Sequence, residues 1–352
     1  MALITIDGRF LGTGTGLANY TRHLVTALVD EGSHDYVVLT RSGTDDVDFP
    51  VRTAVADIAH YSLAEQVRLP GIVRETGCDL AFYPHFNAPV VSRTPYVVTV
   101  HDLILHRHPG DASWAKQRVY RALLRRNLHA ARAVIAVSEW TRQDIVRHYG
   151  DAIGAKTAVS GEGAGDAFTP RSDTEVQAAR ARHGLQGDYF LYAGNAKPHK
   201  NLDMLVAAHL ASGVDADLVL VTGDPDAARL QGEKVVVARG VDDDELAALY
   251  SGARAFTTPS LDEGYCLPVA EALACGCPVI ASECGSIPET AQGHARLVAP
   301  TLDDWTDALR EPVRPQEPVL VGDWAEAARR TVAVFDRALR RAGAPDSRWS
   351  AS

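Results

Sequence analysis

Residues 255–273 read AFTTPSLDEGYCLPVAEAL, an apolar run followed by a polar loop and a second apolar segment. The run at 255–258 has the β-branched and aromatic residues of a buried strand, which ends at Pro259. A helix is predicted to begin near Leu267, because Pro268 in a first turn lacks only an amide that the helix does not use. Strand, loop and helix in this order are typical of a parallel α/β sheet.

The same alternation of short apolar runs and helical segments extends along the 352 residues. Most of the runs are too apolar to have one wet face, which indicates strands buried on both faces. The first series of predicted strands comprises Ala2–Ile6, Tyr36–Thr40, Leu80–Tyr83, Tyr96–Val100 and Ala133–Val137. The second series comprises Tyr189–Ala193, Asp217–Val221, Val235–Ala238, Ala255–Thr258, Val279–Ala281 and Arg296–Val298.

A glycine-rich stretch between the two series, Gly161–Pro170, predicts a hinge. We therefore predict an α/β fold of two doubly wound, Rossmann-like domains, residues 1–165 and 170–320. The carboxyl ends of the two sheets are expected to face a central cleft, because ligands bind at those ends in such sheets. A last helix, 323–343, has an apolar stripe at helical spacing.

Composition and charge exclude several classes of protein. With 46% hydrophobic and 23% charged residues the composition is that of a globular protein, and the net charge of −10 argues against nucleic-acid binding. The start lacks the basic and apolar regions of a signal peptide, so a cytoplasmic location is predicted. Five cysteines without a C-x-x-C pair fit neither a disulfide framework nor a zinc site. Cys275 and Cys277 are interpreted as small apolar fillers.

Two acidic residues of the opening stretch, Glu263 and Glu271, are eight positions apart. Fully helical spacing would separate them by about 12 Å, near the distance between the hexose and the ribose of a nucleotide sugar. The amides of 264–267 precede a helix and are suited to phosphate or sugar oxygens. Considered alone, Glu263 is equally typical of an acid at a helix N-terminus, and Glu271 of a buried acid with a local partner.

A second stretch, residues 191–202 with the sequence LYAGNAKPHKNL, places a strand and a Gly194 turn before two lysines, Lys197 and Lys200. A departing diphosphate needs positive charge and N–H donors where its negative charge grows. Lys200 and the following helix N-terminus would supply both. The alternative is a solvated lysine at an ordinary turn between a strand and a helix.

Together these two stretches carry the pattern G-x4-[RH]-K-N-L followed by P-S-x2-E-G-[FY]-x-L-P-x2-E-A. In this pattern the chain resembles the retaining glycosyltransferases of family 4, which have the GT-B fold of two Rossmann-like domains facing one cleft. Four further segments resemble that family, and the last three its branch of O-antigen mannosyltransferases: Gly12–Thr21, Phe82–Pro89, Val98–Ile104 and Val137–Glu139.

The resemblance implies roles for individual residues. Lys200 would contact the donor diphosphate, Glu263 the donor-sugar hydroxyls and Glu271 the ribose, with His101 beside the reacting centre. Other residues implied in donor binding are Gly14, Gly16, Gly194, Lys197, His199, Gly240, Val241, Gly264, Tyr265, Cys266 and Leu267. The implied acceptor-side residues are His85, Asn87 and Asp102.

The chain departs from the family at two points: His199 stands where arginine is usual, and Tyr265-Cys266 replaces the usual Phe-Gly pair. If His199 substitutes for arginine, donor binding should weaken as pH rises past about 6.5.

The resemblance implies neither a metal nor a cofactor. The co-substrate would be a nucleoside diphosphate sugar, GDP-mannose by its branch or a UDP-sugar. The acceptor would be a sugar, a lipid-linked sugar or a small molecule. By the same resemblance, the helix at 323–343 packs back onto the first domain.

Rival interpretations are tested by spacing. Gly12-x-Gly14-x-Gly16 differs from the G-x-G-x-x-G of dinucleotide oxidoreductases, and the second predicted strand is followed by Arg41 instead of an acid. Residues 242–245 precede a helical segment, so they are interpreted as a helix cap and first-turn acids instead of the D-x-D of a metal-dependent sugar transferase. The glycines of 161–165 are not followed by the Gly-Lys-Ser/Thr of a phosphate loop. An epimerase and a non-catalytic nucleotide-sugar-binding subunit remain open.

Residues 114–132 form a basic amphipathic segment. Its bases are Lys116, Arg118, Arg121, Arg125, Arg126 and Arg132, and its apolar face is Val119, Leu123, Leu124 and Leu128. One interpretation is weak peripheral contact with an anionic membrane, at its inner face, that carries a lipid-linked acceptor. The other is an ordinary surface helix with a solvated face.

Overall fold

The computed structural model describes residues 1–13, 15–44, 49–108 and 113–342, with side chains to residue 340. The chain divides into two compact units. Unit 1 contains Met1–Leu103, Ser113–Glu162 and the chain from Trp324 onward. Unit 2 contains a short segment that begins at Ile104, directly after Leu103, and the long segment Gly163–Asp323. The chain therefore leaves unit 1 twice and returns to it twice.

The described part of unit 1 contains a parallel sheet of seven strands in the order β3-β2-β1-β4-β5-β6-β7. Its strands are β1 (Leu3–Asp7), β2 (Asp35–Thr40), β3 (Arg52–Val55), β4 (Leu80–Tyr83), β5 (Tyr96–Val100), β6 (Ala133–Ala136) and β7 (Thr157–Val159). Its helices are α1 (Gly16–Glu31), α2 (Leu63–Glu75), α4 (Trp114–Ala130), α5 (Glu139–Tyr149), α6 (Asp151–Gly154) and α13 (Trp324–Ala342).

Unit 2 has a parallel sheet of six strands within the described residues, in the order β10-β9-β8-β11-β12-β13. The strands are β8 (Tyr189–Ala193), β9 (Asp217–Val221), β10 (Val235–Ala238), β11 (Ala255–Thr258), β12 (Val279–Ser282) and β13 (Ala295–Val298). The helices are α3 (Ile104–Arg107), α7 (Asp173–Arg182), α8 (Leu202–Ser212), α9 (Asp243–Gly252), α10 (Leu267–Ala274), α11 (Ile287–Ala291) and α12 (Leu302–Arg310).

Both sheets are buried on both faces, as their apolar strands require. Every residue of β4, β5, β6, β8, β11 and β12 is buried. The predicted α/β class and its parallel sheets are confirmed. Two edge strands were not predicted, because β3 is mostly exposed and lacks an apolar run, and β7 is only three residues long.

The final helix, α13, packs against α1 in unit 1. The ring of Trp324 lies 5.8 Å from that of Tyr20, and the ring of Phe335 lies 5.1 Å from that of Phe82. The apolar stripe predicted for this helix therefore faces the core of unit 1. Among the described residues, no helix has the length and apolarity needed to cross a membrane.

Candidate functional site

The centre of the unit 2 sheet is its topological switch point. Strands β8 and β11 are neighbours there, with Leu191 paired to Phe256, while the chain continues from them toward opposite edges of the sheet. Loops that follow two such strands diverge and leave a crevice at their carboxyl ends, where open α/β sheets bind ligands. Residues 194–201 follow β8 and residues 259–266 follow β11, so both stretches singled out in the sequence border this crevice.

An ion pair joins the two loops. The Nζ atom of Lys200, at the end of the short 3₁₀ helix Pro198–Lys200, donates a hydrogen bond to Oε1 of Glu263 at 2.5 Å. The Lys200 side chain is 14% exposed and that of Glu263 8%. Burial alone would lower the pKa of Lys200, but the Glu263 carboxylate outweighs it and raises that pKa above its ordinary value. The cation is therefore permanent at neutral pH.

The backbone of the Glu263 loop contacts two neighbouring segments, one at His199 and one at residues 285–286. The Leu261 amide donates to the carbonyl of His199 at 2.8 Å, and the Ser286 amide donates to the carbonyl of Glu263 at 3.2 Å. At Gly285, an added Cβ would lie 2.5 Å from the Glu263 nitrogen, so the close approach of the two chains requires glycine there.

A second, bidentate ion pair anchors the residue before Glu263. Arg107 in α3 donates to both carboxylate oxygens of Asp262, with its Nε atom at 2.6 Å from Oδ2. The Asp262 side chain is 1% exposed. Sequence reasoning missed Arg107, since nothing in its own segment distinguishes it from other surface arginines.

The start of α10 has a strained backbone. Cys266 precedes the helix with a φ of 73°, in the left-handed region that favours glycine. This geometry gives a physical reason for glycine at this position in the pattern that the chain resembles. Burial raises the pKa of the Cys266 thiol well above its ordinary value, so it is a neutral thiol. Gly264 and Tyr265 are buried as well, and Leu267 is half-buried.

Glu271 lies one turn into α10, and its carboxylate is buried. The Tyr250 hydroxyl donates to its Oε2 atom at 3.3 Å. This contact agrees with the alternative interpretation of Glu271 as a buried acid with a local partner, although Tyr250 was not predicted as that partner.

The other donor-side residues differ in position. Gly194 follows β8 with a φ of 147°, and an added Cβ would lie 2.8 Å from the Tyr192 hydroxyl. Lys197 is exposed and His199 is buried. Gly240 and Val241 follow β10, so they lie at the carboxyl ends of the strands like the other donor-side residues, but two strands away from β8.

In unit 1, His101 follows β5 and both of its ring nitrogens face oxygen atoms. Nε2 lies 2.8 Å from the Pro84 carbonyl oxygen, and Nδ1 lies 3.6 Å from Oε1 of Glu162. Burial alone would lower the pKa of His101, but Glu162 and the carbonyl outweigh it and raise that pKa above its ordinary 6.5. Burial also raises the pKa of Glu162. Glu162 was missed because it lies in the stretch interpreted as a hinge.

The predicted acceptor-side residues lie after β4 and β5. His85 is half-buried, with its ring 4.2 Å from that of Phe86. Asn87 is buried, and its side-chain nitrogen donates to Glu65 at 2.8 Å, so this nitrogen is engaged within unit 1. Asp102 is half-buried beside His101.

Two glycines were predicted at the first turn of unit 1. Gly16 is the first residue of α1, whereas Gly14 lies outside the described residues.

Two interpretations of the acidic and cysteine motifs are confirmed. Asp242 caps α9 by accepting the Glu245 amide at 2.9 Å, and Cys275 and Cys277 are buried free thiols. Across the described residues, no group of three or more His, Cys, Asp or Glu side chains could hold a metal ion.

Two doubly wound α/β units define the class of two-domain Rossmann-like proteins. Comparisons with known proteins identify the family within this structural class. Residues 14–159 match the family model "Glycosyltransferase Family 4", and residues 187–314 match "Glycosyl transferases group 1". The chain belongs to the glycosyltransferases that these two models describe, and it is a glycosyltransferase.

Two curated relatives carry related names. O-antigen chain mannosyltransferase B of Escherichia coli is 31% identical over 230 residues, 59% of this chain and 58% of that protein. O-antigen chain mannosyltransferase RfbU of Salmonella typhimurium is 24% identical over 323 residues, 85% of this chain and 87% of that protein.

Solved structures show the fold. WaaG, a glycosyltransferase involved in lipopolysaccharide biosynthesis, aligns with a TM-score of 0.69 at 16% identity, covering 97% of this chain and 96% of that one. Anabaena Alr3699/HepE in complex with UDP and glucose aligns with a TM-score of 0.69 at 18% identity, covering 96% and 95%. The predicted GT-B fold is confirmed.

Proposed function

We propose that this glycosyltransferase moves a hexosyl unit from a nucleoside diphosphate sugar to an acceptor hydroxyl and retains the anomeric configuration. The observation that carries the proposal is the Lys200–Glu263 pair, a half-buried cation and a buried acid at the switch point of unit 2. The two relatives are named mannosyltransferases, which supports mannose as the transferred hexose, and the donor in this proposal is GDP-mannose. The complex of HepE with UDP and glucose supports a nucleotide sugar of this general kind.

In this proposal each part of the donor has its own partner in unit 2. Lys200 binds the diphosphate, Glu263 accepts hydrogen bonds from the hexose hydroxyls, and Glu271 accepts from the ribose diol. The amides of 264–267, at the positive end of α10, bind phosphate oxygens. Lys197 and His199 add to the phosphate clamp, Gly194 admits the diphosphate, and 240–241 bind the base through the backbone.

The transfer needs no nucleophile from the protein. The bond from the anomeric carbon to the diphosphate oxygen breaks, and its electron pair leaves with the diphosphate. The acceptor hydroxyl forms the new bond on the same face of the sugar, and its proton passes to the departing phosphate oxygen. Lys200 stabilises the charge that grows on that oxygen, and this contact is strongest in the transition state.

In unit 1, the proposal gives His101 an orienting role. With both ring nitrogens facing oxygens of unit 1, the imidazolium is the favoured form, so Pro84 and Glu162 fix the orientation of His101 and the ring does not act as a base. His85, Asn87 and Asp102 remain the proposed acceptor-side residues, and Gly14 and Gly16 the proposed glycines of the first turn.

The proposed location is the cytoplasm, with weak peripheral contact at the inner face of a membrane, and the proposed acceptor is a sugar, a lipid-linked sugar or a small molecule. The structure weakens a strong membrane anchor at 114–132, because Leu124 and Leu128 are buried in the core of unit 1. Trp114 and Val119 are exposed, and these two side chains would support only weak contact with a membrane.

A donor screen followed by product analysis tests the proposal. GDP-mannose, UDP-glucose and UDP-galactose are compared by thermal shift, since a ligand that binds the folded state raises the melting temperature. We expect the largest shift with GDP-mannose and, with an acceptor sugar, an α-linked product by NMR. An isomerised free sugar nucleotide would indicate an epimerase, binding without turnover a non-catalytic subunit, and a β-linked product an inverting enzyme. Each of these results would overturn the proposal.

A further inference from the structure

An aromatic cluster lies at the switch point of the unit 1 sheet. Strands β1 and β4 are neighbours there and the chain leaves them toward opposite edges. Phe10 follows β1, His85 follows β4, and His60 and Tyr61 follow β3. Ring centroids are 3.5 Å apart for Phe10 and His60, 5.6 Å for Phe10 and His85, and 6.0 Å for Tyr61 and His85. Three loops thus bring their rings together at one crevice.

One buried carboxylate ties these loops to each other. Glu65, which is fully buried in α2, accepts a hydrogen bond from the Arg9 guanidinium at 2.7 Å through Oε1. Its Oε2 accepts from the Tyr61 amide and from the Asn87 side chain, both at 2.8 Å. Burial alone would raise the pKa of Glu65, but bonds from His60 and Arg9 outweigh it and lower that pKa. Glu65 is therefore an anion with a partner in each loop.

Tyr61 is held in a conformation that tyrosine avoids. Its φ is 58°, in the left-handed region. The residue is 59% exposed to solvent, although its side chain is large and aromatic. Left-handed backbone at a residue with a Cβ is unfavourable and persists only where neighbouring contacts impose it. Here the bond from the Tyr61 amide to Glu65 imposes it, and the result is an aromatic ring displayed to solvent.

Two rings of the cluster, those of His85 and Tyr61, are uncharged at neutral pH. Burial, with His101 and His60, lowers the pKa of His85 well below 6.5, so that ring is uncharged at pH 7. The Tyr61 phenol keeps its proton at pH 7, because phenols ionise only at about pH 10. A neutral aromatic face suits the C–H face of a sugar ring better than a phosphate, which needs cations.

We propose that Tyr61 is a specificity-determining residue whose exposed ring stacks on an uncharged sugar ring of the acceptor, and that Glu65 is the positioning residue that holds it. This inference rests on the proposed function and adds the acceptor class to it: a neutral glycoside in place of a phosphorylated acceptor.

The test measures acceptor binding without turnover, so that it does not depend on donor chemistry. Methyl glycosides of mannose, glucose, galactose and rhamnose, with inositol 1-phosphate as an anionic probe, are titrated into the full chain by saturation-transfer NMR. We expect at least one neutral glycoside to bind, and Tyr61→Gly to weaken it about tenfold, as expected for the loss of one stacked ring. Tyr61→Phe should bind within about twofold of the wild type.

The controls separate binding from folding. Tyr61→Gly removes the strained Cβ, so its melting temperature should not fall. Leu63→Ala, a change at a more exposed side chain two residues further on, should leave the affinity unchanged. Glu65→Gln should weaken glycoside binding when Tyr61 is present. In the Tyr61→Gly variant it should cause no further loss of affinity, because Glu65 acts through the Tyr61 ring.

Several results would overturn the inference: no neutral glycoside bound, inositol phosphate alone bound, or an unchanged affinity in Tyr61→Gly. Additive effects of Glu65→Gln and Tyr61→Gly would contradict the positioning role. Failure of the proposed function is a different result, since it would appear as absent transfer in the donor experiment while glycoside binding persists.

Discussion

Unit 2 holds the Lys200–Glu263 pair and unit 1 the His101–Glu162 pair at the carboxyl ends of their strands, and these two pairs differ in their cation. In unit 2 the Lys200 Nζ lies 2.5 Å from Glu263, whereas in unit 1 the His101 Nδ1 lies 3.6 Å from Glu162. A lysine whose pKa is raised is charged at every working pH, whereas a histidine whose pKa is raised from 6.5 still loses its charge as the pH rises through that pKa. Unit 2 thus offers a permanent charge, suited to a diphosphate, and unit 1 a charge that depends on pH.

The largest effect should come from removing the permanent charge. We expect Lys200→Ala to lower kcat by about 10²-fold or more, the scale for losing one preorganised charge contact in the transition state. It should also destabilise the fold by about 3 kcal/mol, because Glu263 is left buried without its cation. Steady-state kinetics and chemical denaturation measure the two effects.

Two variants separate chemistry from folding. Adding Glu263→Gln to Lys200→Ala should recover most of the lost stability and none of the activity. Lys234→Ala removes a lysine from a surface pair with Asp215 and should change neither quantity. Wild-type turnover in Lys200→Ala would refute the role proposed for this lysine.

The next effect concerns the charge of unit 1. Glu162→Gln removes the acid that raises the pKa of His101, so that pKa should fall toward or below its ordinary 6.5. If transfer needs the imidazolium, the alkaline limb of kcat/KM should move to lower pH. The pH–rate profile and the NMR titration of His101, assigned through His101→Gln, measure the shift.

The same pair links stability to pH. Because the folded pKa of His101 is raised, its contribution to stability is complete below about 6.5 and is lost as pH rises through the folded pKa. Glu162→Gln should therefore flatten the decline in melting temperature above neutrality. As a control, Asp336→Asn removes an acid that faces a different histidine, His34, and should leave the alkaline limb of kcat/KM unchanged. If the alkaline limb of kcat/KM does not move in Glu162→Gln, the claim that unit 1 contributes a pH-dependent charge to transfer is wrong.

The smallest effect concerns the basic helix of unit 1, α4. Its exposed bases include Arg118, Arg121 and Arg125, and each is worth about 1 kcal/mol near an anionic surface. We expect weak flotation with phosphatidylglycerol vesicles at low salt, its loss at high salt, and its loss in Arg118→Glu/Arg121→Glu. Binding that survives high salt would indicate apolar insertion, and its absence at both salt concentrations would end the membrane interpretation.

Local patterns made the fold predictable. The apolar runs located eleven of the strands, and Pro268 located the start of α10, because buried parallel strands and helix first turns leave signals within a few residues. Strand β3 left no such signal, since its side chains are mostly exposed at the sheet edge.

The candidate site was predictable only in part. The motifs indicated Lys200 and Glu263 separately, but a direct contact between residues 63 positions apart depends on how two loops meet. Glu162 and Arg107 contact site residues through tertiary structure alone. The left-handed Tyr61 also had no signal, because the usual marker of that backbone is glycine.

The Lys200–Glu263 contact has a consequence for the order of events in the proposed reaction. Before a donor arrives, each charge already neutralises the other, so binding is an exchange in which phosphate replaces carboxylate around the ammonium group. The reverse exchange follows transfer: once the hexose has left, Glu263 has no hydroxyls to hold and competes again for Lys200. The enzyme thereby carries within its own chain a competitor that helps displace the spent nucleoside diphosphate and begin the next cycle.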